Sequence, residues 1–277
     1  MTNQTAMISI ATDYKQGTGN PYPHLKAIAE AGFTHIHWCH QWNTDFLYST
    51  SEVNQILQWL QELGLRVTDL HASAGSEKGW ASAQEYERLA GVELVANRLE
   101  MTSRLGSDVA VLHIPLEPTD EPARLAYWDR VRRSLDTLAH CSRATGVRLA
   151  LENGGTPESW LPIARVLSEY APEFVGLCYD SGHGNISRDG LDQLATHAGR
   201  LIAVHLHDND GSGDLHQLPF MGTLDWGRLA GLIAGSSYRK WVNLELSMTR
   251  SGYEDEAPFL REAATLANRL TEAIASA

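Results

Sequence analysis

The 277-residue sequence has few cysteines and no long apolar run, and each shortage excludes a class of protein. Its three cysteines, Cys39, Cys141 and Cys178, are too few and too far apart for a disulfide framework or a thiolate zinc site. No apolar stretch reaches the roughly 18 to 20 residues that span a bilayer. The first residues also lack the basic and apolar regions of a secretory signal. We therefore expect a cytoplasmic protein that is not associated with a membrane.

Basic residues are also in short supply. The chain has 22 lysines and arginines against 34 acidic residues, a formal net charge of -12. Proteins that bind nucleic acid usually show a basic footprint, because neutralising phosphates dominates their affinity. The densest basic run, Arg130-Val131-Arg132-Arg133, lies in a helical stretch and is expected to be a solvated helix face. The composition therefore argues against nucleic acid as a partner.

Short apolar runs alternate with longer amphipathic segments along the whole chain. The eight predicted strands are 8–13, 33–39, 66–73, 108–114, 148–153, 174–180, 201–207 and 240–247. The predicted helices are 24–31, 51–63, 81–105, 125–145, 160–170, 191–199, 229–234 and 254–275. This alternation predicts a parallel sheet, and eight repeats match a (β/α)₈ TIM barrel. A doubly wound sheet fits less well, because no Gly-x-Gly-x-x-Gly follows the first strand and no linker divides the chain. We expect one barrel domain over residues 1–277.

Acidic and imidazole side chains follow the apolar runs. They are His71, His113, Glu152, Asp180 (with His183 just beyond), His205 and Glu245. A charge at the end of a buried strand is costly unless it is paired, and in these barrels the carboxyl ends of the strands form the active site. Carboxylate and imidazole ligands without cysteine suit Mn²⁺, Mg²⁺, Co²⁺ or Zn²⁺. We therefore predict one divalent metal ion and no organic cofactor, with Glu152, Asp180, His205 and Glu245 as ligands.

Several segments carry a resemblance to a known family. They are Leu151-Glu152-Asn153, Tyr179-Asp180-Ser181-Gly182-His183, Val204-His205-Leu206-His207-Asp208, Asp214-Leu215-His216 and Leu244-Glu245. Together they resemble the xylose isomerase-like TIM-barrel superfamily, and the resemblance covers nearly the whole chain. That superfamily includes sugar isomerases, ketose 3-epimerases, inosose dehydratases, dehydroshikimate dehydratase and endonuclease IV.

The epimerase-type members imply roles for particular residues. Their metal ligands fall on the same four positions, and their two glutamates, here Glu152 and Glu245, exchange protons with the substrate. The resemblance also implies that His183 contacts a substrate oxygen and that Glu158 contacts a substrate hydroxyl. The arginine that the ketose 3-epimerases carry after the histidine ligand falls on Gly211 here. The chain thus departs from that subgroup.

Endonuclease IV offers a different comparison, because its three-metal site uses nine ligands. Each has a candidate in this chain: His71, His113, Glu152, Asp180, His183, His205, Asp214, His216 and Glu245. The segments around His71 and His113 differ from those of the nuclease, and the acidic balance does not suit DNA. A phosphodiesterase acting on abasic DNA is therefore the alternative hypothesis.

The remaining histidines leave alternatives open. His71 and His113 could be extra ligands, general acid–base groups or polar groups at the rim. His216 lies either in a loop over the site or exposed on the surface. His37 either lines the pocket or is a hydrogen-bonded interior group. His207 is either a substrate contact or a partner of Asp208.

An aromatic cluster follows the second predicted strand: Trp38, Trp42, Phe46 and Tyr48. Trp38 and its neighbours could form an apolar wall against a sugar ring, or pack as a loop core or subunit contact. A homo-oligomer also remains open.

These observations support a main functional hypothesis and two alternatives. The main one is a metal-dependent isomerase or epimerase acting on a sugar, sugar phosphate or cyclitol by proton transfer next to a carbonyl. Dehydration follows instead if a leaving group departs. Glu152 and Glu245 are the predicted ligand-bases, while His183 and His113 polarise or protonate an oxygen. The alternatives are the phosphodiesterase and a non-enzymatic sugar-binding barrel.

Overall fold

A computed structural model describes residues 7–15 and 19–277 and contains a parallel eight-stranded sheet. Its strands are β1 (Ile8–Ala11), β2 (His35–Trp38), β3 (Arg66–His71), β4 (Val109–His113), β5 (Arg148–Glu152), β6 (Val175–Asp180), β7 (Leu201–His205) and β8 (Val242–Leu244). Each lies within a predicted strand, so the fold prediction is confirmed. The strands pair in the order β7-β6-β5-β4-β3-β2-β1-β8.

The barrel closes between β7 and β8 over a short length. A single parallel bridge joins Leu206 to Leu244 just beyond β7. The Leu206 amide donates to the Asn243 carbonyl at 3.0 Å, and the Glu245 amide donates to the Leu206 carbonyl at 3.2 Å. These bonds lie at the carboxyl ends of both strands. They therefore fix His205 and Glu245 beside each other.

Helices connect the strands around the outside. They are α1 (Tyr22–Glu30), α2 (Thr50–Leu63), α3 (Glu85–Arg104), α4 (Glu121–Thr145), α5 (Trp160–Glu169), α6 (Ser181–Ser187), α7 (Gly190–His197), α8 (Trp226–Gly235) and α9 (Glu256–Ala275). The sequence marks several of their ends. Ser49 and Glu52 form a capping box at the start of α2. Gly64 ends α2 at φ 68° and Gly146 ends α4 at φ 73°, a left-handed conformation that favours glycine.

Helix α6 is the one α-helix in the described residues that the sequence patterns did not predict. It starts directly from β6, and its seven residues, Ser-Gly-His-Gly-Asn-Ile-Ser, lack an apolar stripe. Asp180 caps it by accepting a hydrogen bond from the His183 amide at 2.6 Å. A Cβ on Gly182 would lie 1.9 Å from the His207 ring. This helix therefore needs glycine where it packs against the His207 ring.

The densest basic run of the sequence forms ion pairs with acidic residues on the surface. In the basic run of α4, Arg132 pairs with Glu169 and Arg133 pairs with Glu85 and Asp129. This confirms the expectation of a solvated helix face. No helix in the described part of the chain is long and apolar enough to cross a membrane.

His35 gives the fold a testable pH dependence at the barrel end opposite the strand carboxyl ends. Burial, with Arg66 and Lys240 nearby, lowers its pKa from 6.5 to about 4. In the unfolded chain His35 is protonated below pH 6.5, whereas in the folded chain it stays neutral until about pH 4. The free energy of unfolding therefore falls as the pH drops through this range. For such a shift we expect His35 to lower the free energy of unfolding by about 1 to 3 kcal/mol at pH 4.

The measurement is urea unfolding between pH 7 and pH 4 for wild type and His35→Gln. The variant should lose less stability on acidification than wild type, whatever its stability at neutral pH. The exposed His140→Gln is the matched control. Equal acid sensitivity in all three proteins would contradict the assignment.

Candidate metal centre

Four strand ends bring three carboxylates and an imidazole to one point. Glu152 ends β5, Asp180 ends β6, His205 ends β7 and Glu245 follows β8. One ligand atom from each lies within 4.8 Å of the others. The structure thus brings together the four residues that the sequence predicts as metal ligands, and their role as ligands stays a prediction.

The chemistry of this group fits a divalent cation. His205 Nδ1 lies 2.8 Å from Glu245 Oε2 and 3.3 Å from Glu152 Oε1. Yet both nitrogens of His205 and Glu152 Oε2 are buried without a hydrogen-bond partner among the described residues. Buried carboxylates that face one another and an orphaned imidazole are costly unless a cation binds them. The four residues can therefore hold a divalent metal.

Backbone and side-chain hydrogen bonds fix the orientation of Asp180. Asn153 donates from its side-chain amide to the Asp180 carbonyl at 3.0 Å, and its Oδ1 accepts from the Asp180 amide at 2.8 Å. His207 Nε2 lies 3.1 Å from both carboxylate oxygens of Asp180. Such outer contacts hold a ligand carboxylate in one orientation. They also place His207 as a partner of Asp180, not of Asp208 as one reading of the sequence had it.

A buried dyad lies beneath the four ligands. His37 Nδ1 is 2.6 Å from Asp69 Oδ1, and both side chains are fully buried. The His37 ring meets the His205 ring edge-on, with centroids 4.4 Å apart. Of the two alternatives for His37, the structure favours the hydrogen-bonded interior group. Sequence reasoning missed Asp69, because it lies within β3 and not at its end.

His71 and His113 form a second group with Glu152. Their Nε2 atoms are 3.1 Å apart, and Glu152 Oε2 lies 3.6 Å from the first and 3.4 Å from the second. Burial and the neighbouring His113 lower the pKa of His71 to about 3, so its ring is neutral near pH 7. Trp42 stacks on both rings, with centroid distances of 4.3 and 5.6 Å. This pair can accept a cation or share a proton.

A third group lies in the loop after β7. Asp214 Oδ2 is 2.9 Å from His216 Nε2 and 3.5 Å from His183 Nε2. Burial opposes protonation of His216, but Asp214 and Glu245 raise its pKa to about 9. The His216 ring stacks on His207 at 4.1 Å. His216 therefore folds over the site, and the exposed alternative is wrong.

Two residues predicted to contact substrate make no contact with the candidate ligands. Glu158 is exposed in a short turn at Pro157–Ser159, and no hydrogen bond or ion pair joins it to the described ligands. Trp38 is fully buried, and its Nε1 donates to the Tyr48 hydroxyl at 3.2 Å. Trp42, from the same aromatic cluster, is the ring that faces the histidine pair. The geometry therefore favours the loop-core interpretation for Trp38.

Sequence reasoning also missed Asp13, just beyond β1. Burial and the nearby Glu245 raise the pKa of its carboxyl. Asp13 lines a pocket of about 250 Å³ together with His24, Gln41 and Trp42. The signal was present, because Asp13 ends an apolar run as Glu152 and Asp180 do. Trp42, which lines this pocket, also stacks on His71 beside Glu152.

The fold and this site define a class. The sequence profile of the xylose isomerase-like TIM barrel matches residues 25–263, and the chain belongs to that family. An uncharacterised protein, y4fM of Sinorhizobium fredii, is 35% identical over 91% of this chain and 89% of its own. The inosose dehydratase of Salmonella typhimurium is 25% identical over 46% of this chain and 48% of its own.

Solved structures share the fold at low identity. A D-tagatose 3-epimerase-like protein superposes with a TM-score of 0.76 and 18% identity, covering 98% of each chain. The 3-keto-D-glucoside 4-epimerase YcjR of E. coli gives 0.72 and 21%, covering 95% of this chain and 99% of its own. The IOLI protein with a bound zinc atom gives 0.71 and 15%, covering 98% of each chain.

Proposed function

We propose that this protein is a divalent-metal-dependent isomerase or epimerase acting on a sugar or cyclitol by proton transfer next to a carbonyl. The observation that carries the proposal is the convergence of Glu152, Asp180, His205 and Glu245, with two glutamates in one ligand set. The relatives named for sugar epimerases and an inosose dehydratase support the same reaction class. If a leaving group departs after proton removal, the same site performs a dehydration.

Each residue has a proposed task. Glu152, Asp180, His205 and Glu245 would hold the metal, which when bound polarises the substrate carbonyl and acidifies the neighbouring C–H bond. Glu245 is the more exposed glutamate, with 13% of its side chain accessible against 2% for Glu152. It is therefore the better placed to take a proton from carbon, with Glu152 as its partner. His183 and His113 reach the same cleft and can donate to a substrate oxygen.

Hydrogen exchange tests this proposal without knowledge of the physiological substrate. Protein loaded with Mn²⁺, Co²⁺, Mg²⁺ or Zn²⁺ is incubated in D₂O with a panel of ketoses and inososes, and deuterium at the carbon next to the carbonyl is followed by NMR. We expect exchange for at least one compound, and none after EDTA treatment. Exchange that persists without metal, or no exchange across the panel, would contradict the proposal.

One observation favours phosphodiester hydrolysis as a second candidate function. The positions that correspond to the nine ligands of endonuclease IV lie in three neighbouring groups, centred on His71, on Glu152 and on Asp214. Clustered metal ions can activate water for attack on phosphorus. The test is cleavage of an abasic oligonucleotide by zinc-loaded protein. Cleavage that EDTA abolishes would support this candidate over the isomerase.

A further inference from the structure

The pocket at the ends of β1 and β2 extends the cleft away from the ligand group. Its polar lining comes from the loops after β1 and β2 and from the first turn of α1, and Trp42 forms one wall. The polar residues include Asp13, His24, His40, Gln41 and Asn43. Because Trp42 also stacks on His71, the pocket and the cleft share a boundary. A substrate held by the ligand group would therefore place its far end here.

Asp13 gives this pocket its charge. Its carboxyl is crowded by the side chains of the site but lines the pocket, and within residues 7–15 and 19–277 no lysine, arginine or histidine lies within ion-pair distance of it. The nearby Lys15 pairs instead with Glu256. The pocket lining contains no lysine or arginine among the described residues. A carboxyl group without a cationic partner accepts hydrogen bonds from hydroxyl donors, and in its ionised form it repels a second negative charge.

The wider cleft is acidic as well. Asp13, Glu152, Asp180, Asp214 and Glu245 contribute five carboxylates, and in the described chain none of them pairs with lysine or arginine. The histidines and one divalent cation offset part of this charge. Arg250, on the rim, donates to the Asp214 backbone carbonyl. A phosphate group entering the pocket would therefore meet a carboxylate, amides and the imidazoles of His24 and His40, but no lysine or arginine. His24 already pairs with Glu256, and burial lowers the pKa of His40, so neither imidazole is placed to neutralise a phosphate.

We propose that this pocket is the subsite that selects a neutral polyol, with Asp13 accepting hydroxyl hydrogen bonds from the end of the substrate remote from the metal and excluding phosphorylated or carboxylated analogues. This inference rests on the proposed function and narrows its substrate class. Asp13 determines specificity and takes no part in the proton transfer.

Calorimetric binding to the Mn²⁺-loaded protein tests the subsite without turnover. The probes are D-fructose and D-tagatose, each against its terminal phosphate ester, and myo-inositol against its monophosphate. We expect at least one neutral compound to bind wild type at least about tenfold more tightly than its ester, since like charges repel across a desolvated pocket. Asp13→Asn should reduce this preference about tenfold, whereas Asn43→Asp should increase it.

Two controls keep the test sharp. Asp13→Glu retains the charge and should retain the preference, and Glu93→Gln makes the same charge change on the outer face of α3, where it should have no effect. The subsite proposal is overturned if an ester binds wild type as tightly as its neutral partner, if no neutral probe binds, or if Asp13→Asn matches Glu93→Gln. If the protein binds neutral compounds more tightly but exchanges no deuterium, the subsite proposal is supported and the proposed reaction is contradicted. If deuterium exchange is faster with the phosphate esters than with the neutral compounds, the proposed reaction is supported and the subsite proposal is contradicted.

Discussion

Glu245→Gln should lower the rate of deuterium exchange, and of turnover once a substrate is known, by about a hundredfold to ten-thousandfold, the range of a positioned general base. Glutamine preserves the size of the side chain and one ligand oxygen, but it cannot accept the proton. Glu152→Gln should have an effect of similar size if the two glutamates act as partners. Glu262→Gln, on the exposed face of α9, is the matched control and should exchange at the wild-type rate.

The glutamates are also proposed ligands, so the loss of activity has two possible causes. Metal content and affinity must therefore be measured on each variant. A variant that retains about one metal ion per chain and still loses exchange has lost the proton acceptor. If both variants keep near wild-type exchange with the metal bound, neither glutamate is the base and the reaction proposed here is wrong.

The fold was predictable because its signal is repeated. Each of the eight strands is an apolar run followed by an amphipathic helix, and the period leaves few alternative architectures. The convergence of Glu152, Asp180, His205 and Glu245 was predictable for the same reason, since polar residues at the carboxyl ends of parallel strands meet at one end of the barrel. Helix α6 was not, because its start depends on the cap that Asp180 provides and its sequence carries no helical period.

The wrong or open assignments concern side-chain direction in loops and between strands. The sequence pattern around β7 does not show that the His207 side chain contacts Asp180. That contact depends on Gly182, which leaves room for the His207 ring. Likewise, Trp38 and Trp42 are both aromatic residues near the end of β2. Only the path of the loop buries the first and places the second against His71.

Removing the metal should reveal how far the barrel depends on it. A ligand present at a thousand times its dissociation constant stabilises the folded chain by about 4 kcal/mol. For a chain of 277 residues this raises the melting temperature by about 7 °C. We expect the melting temperature of wild type to fall by about this amount after EDTA treatment and to recover when one divalent ion per chain is added back. Asp180→Asn should melt at the same temperature with and without metal.

The stoichiometry of that recovery decides between the two candidate functions. One ion per chain by elemental analysis, with recovery unaffected by His71→Ala, indicates a single occupied site formed by Glu152, Asp180, His205 and Glu245. Two or three ions, with one lost in His71→Ala, would mean that the paired imidazoles of His71 and His113 bind metal rather than share a proton. That outcome would favour phosphodiester chemistry. Because Glu152 lies within 3.6 Å of both imidazoles, it would then help to hold the additional metal and could no longer act freely as the second base.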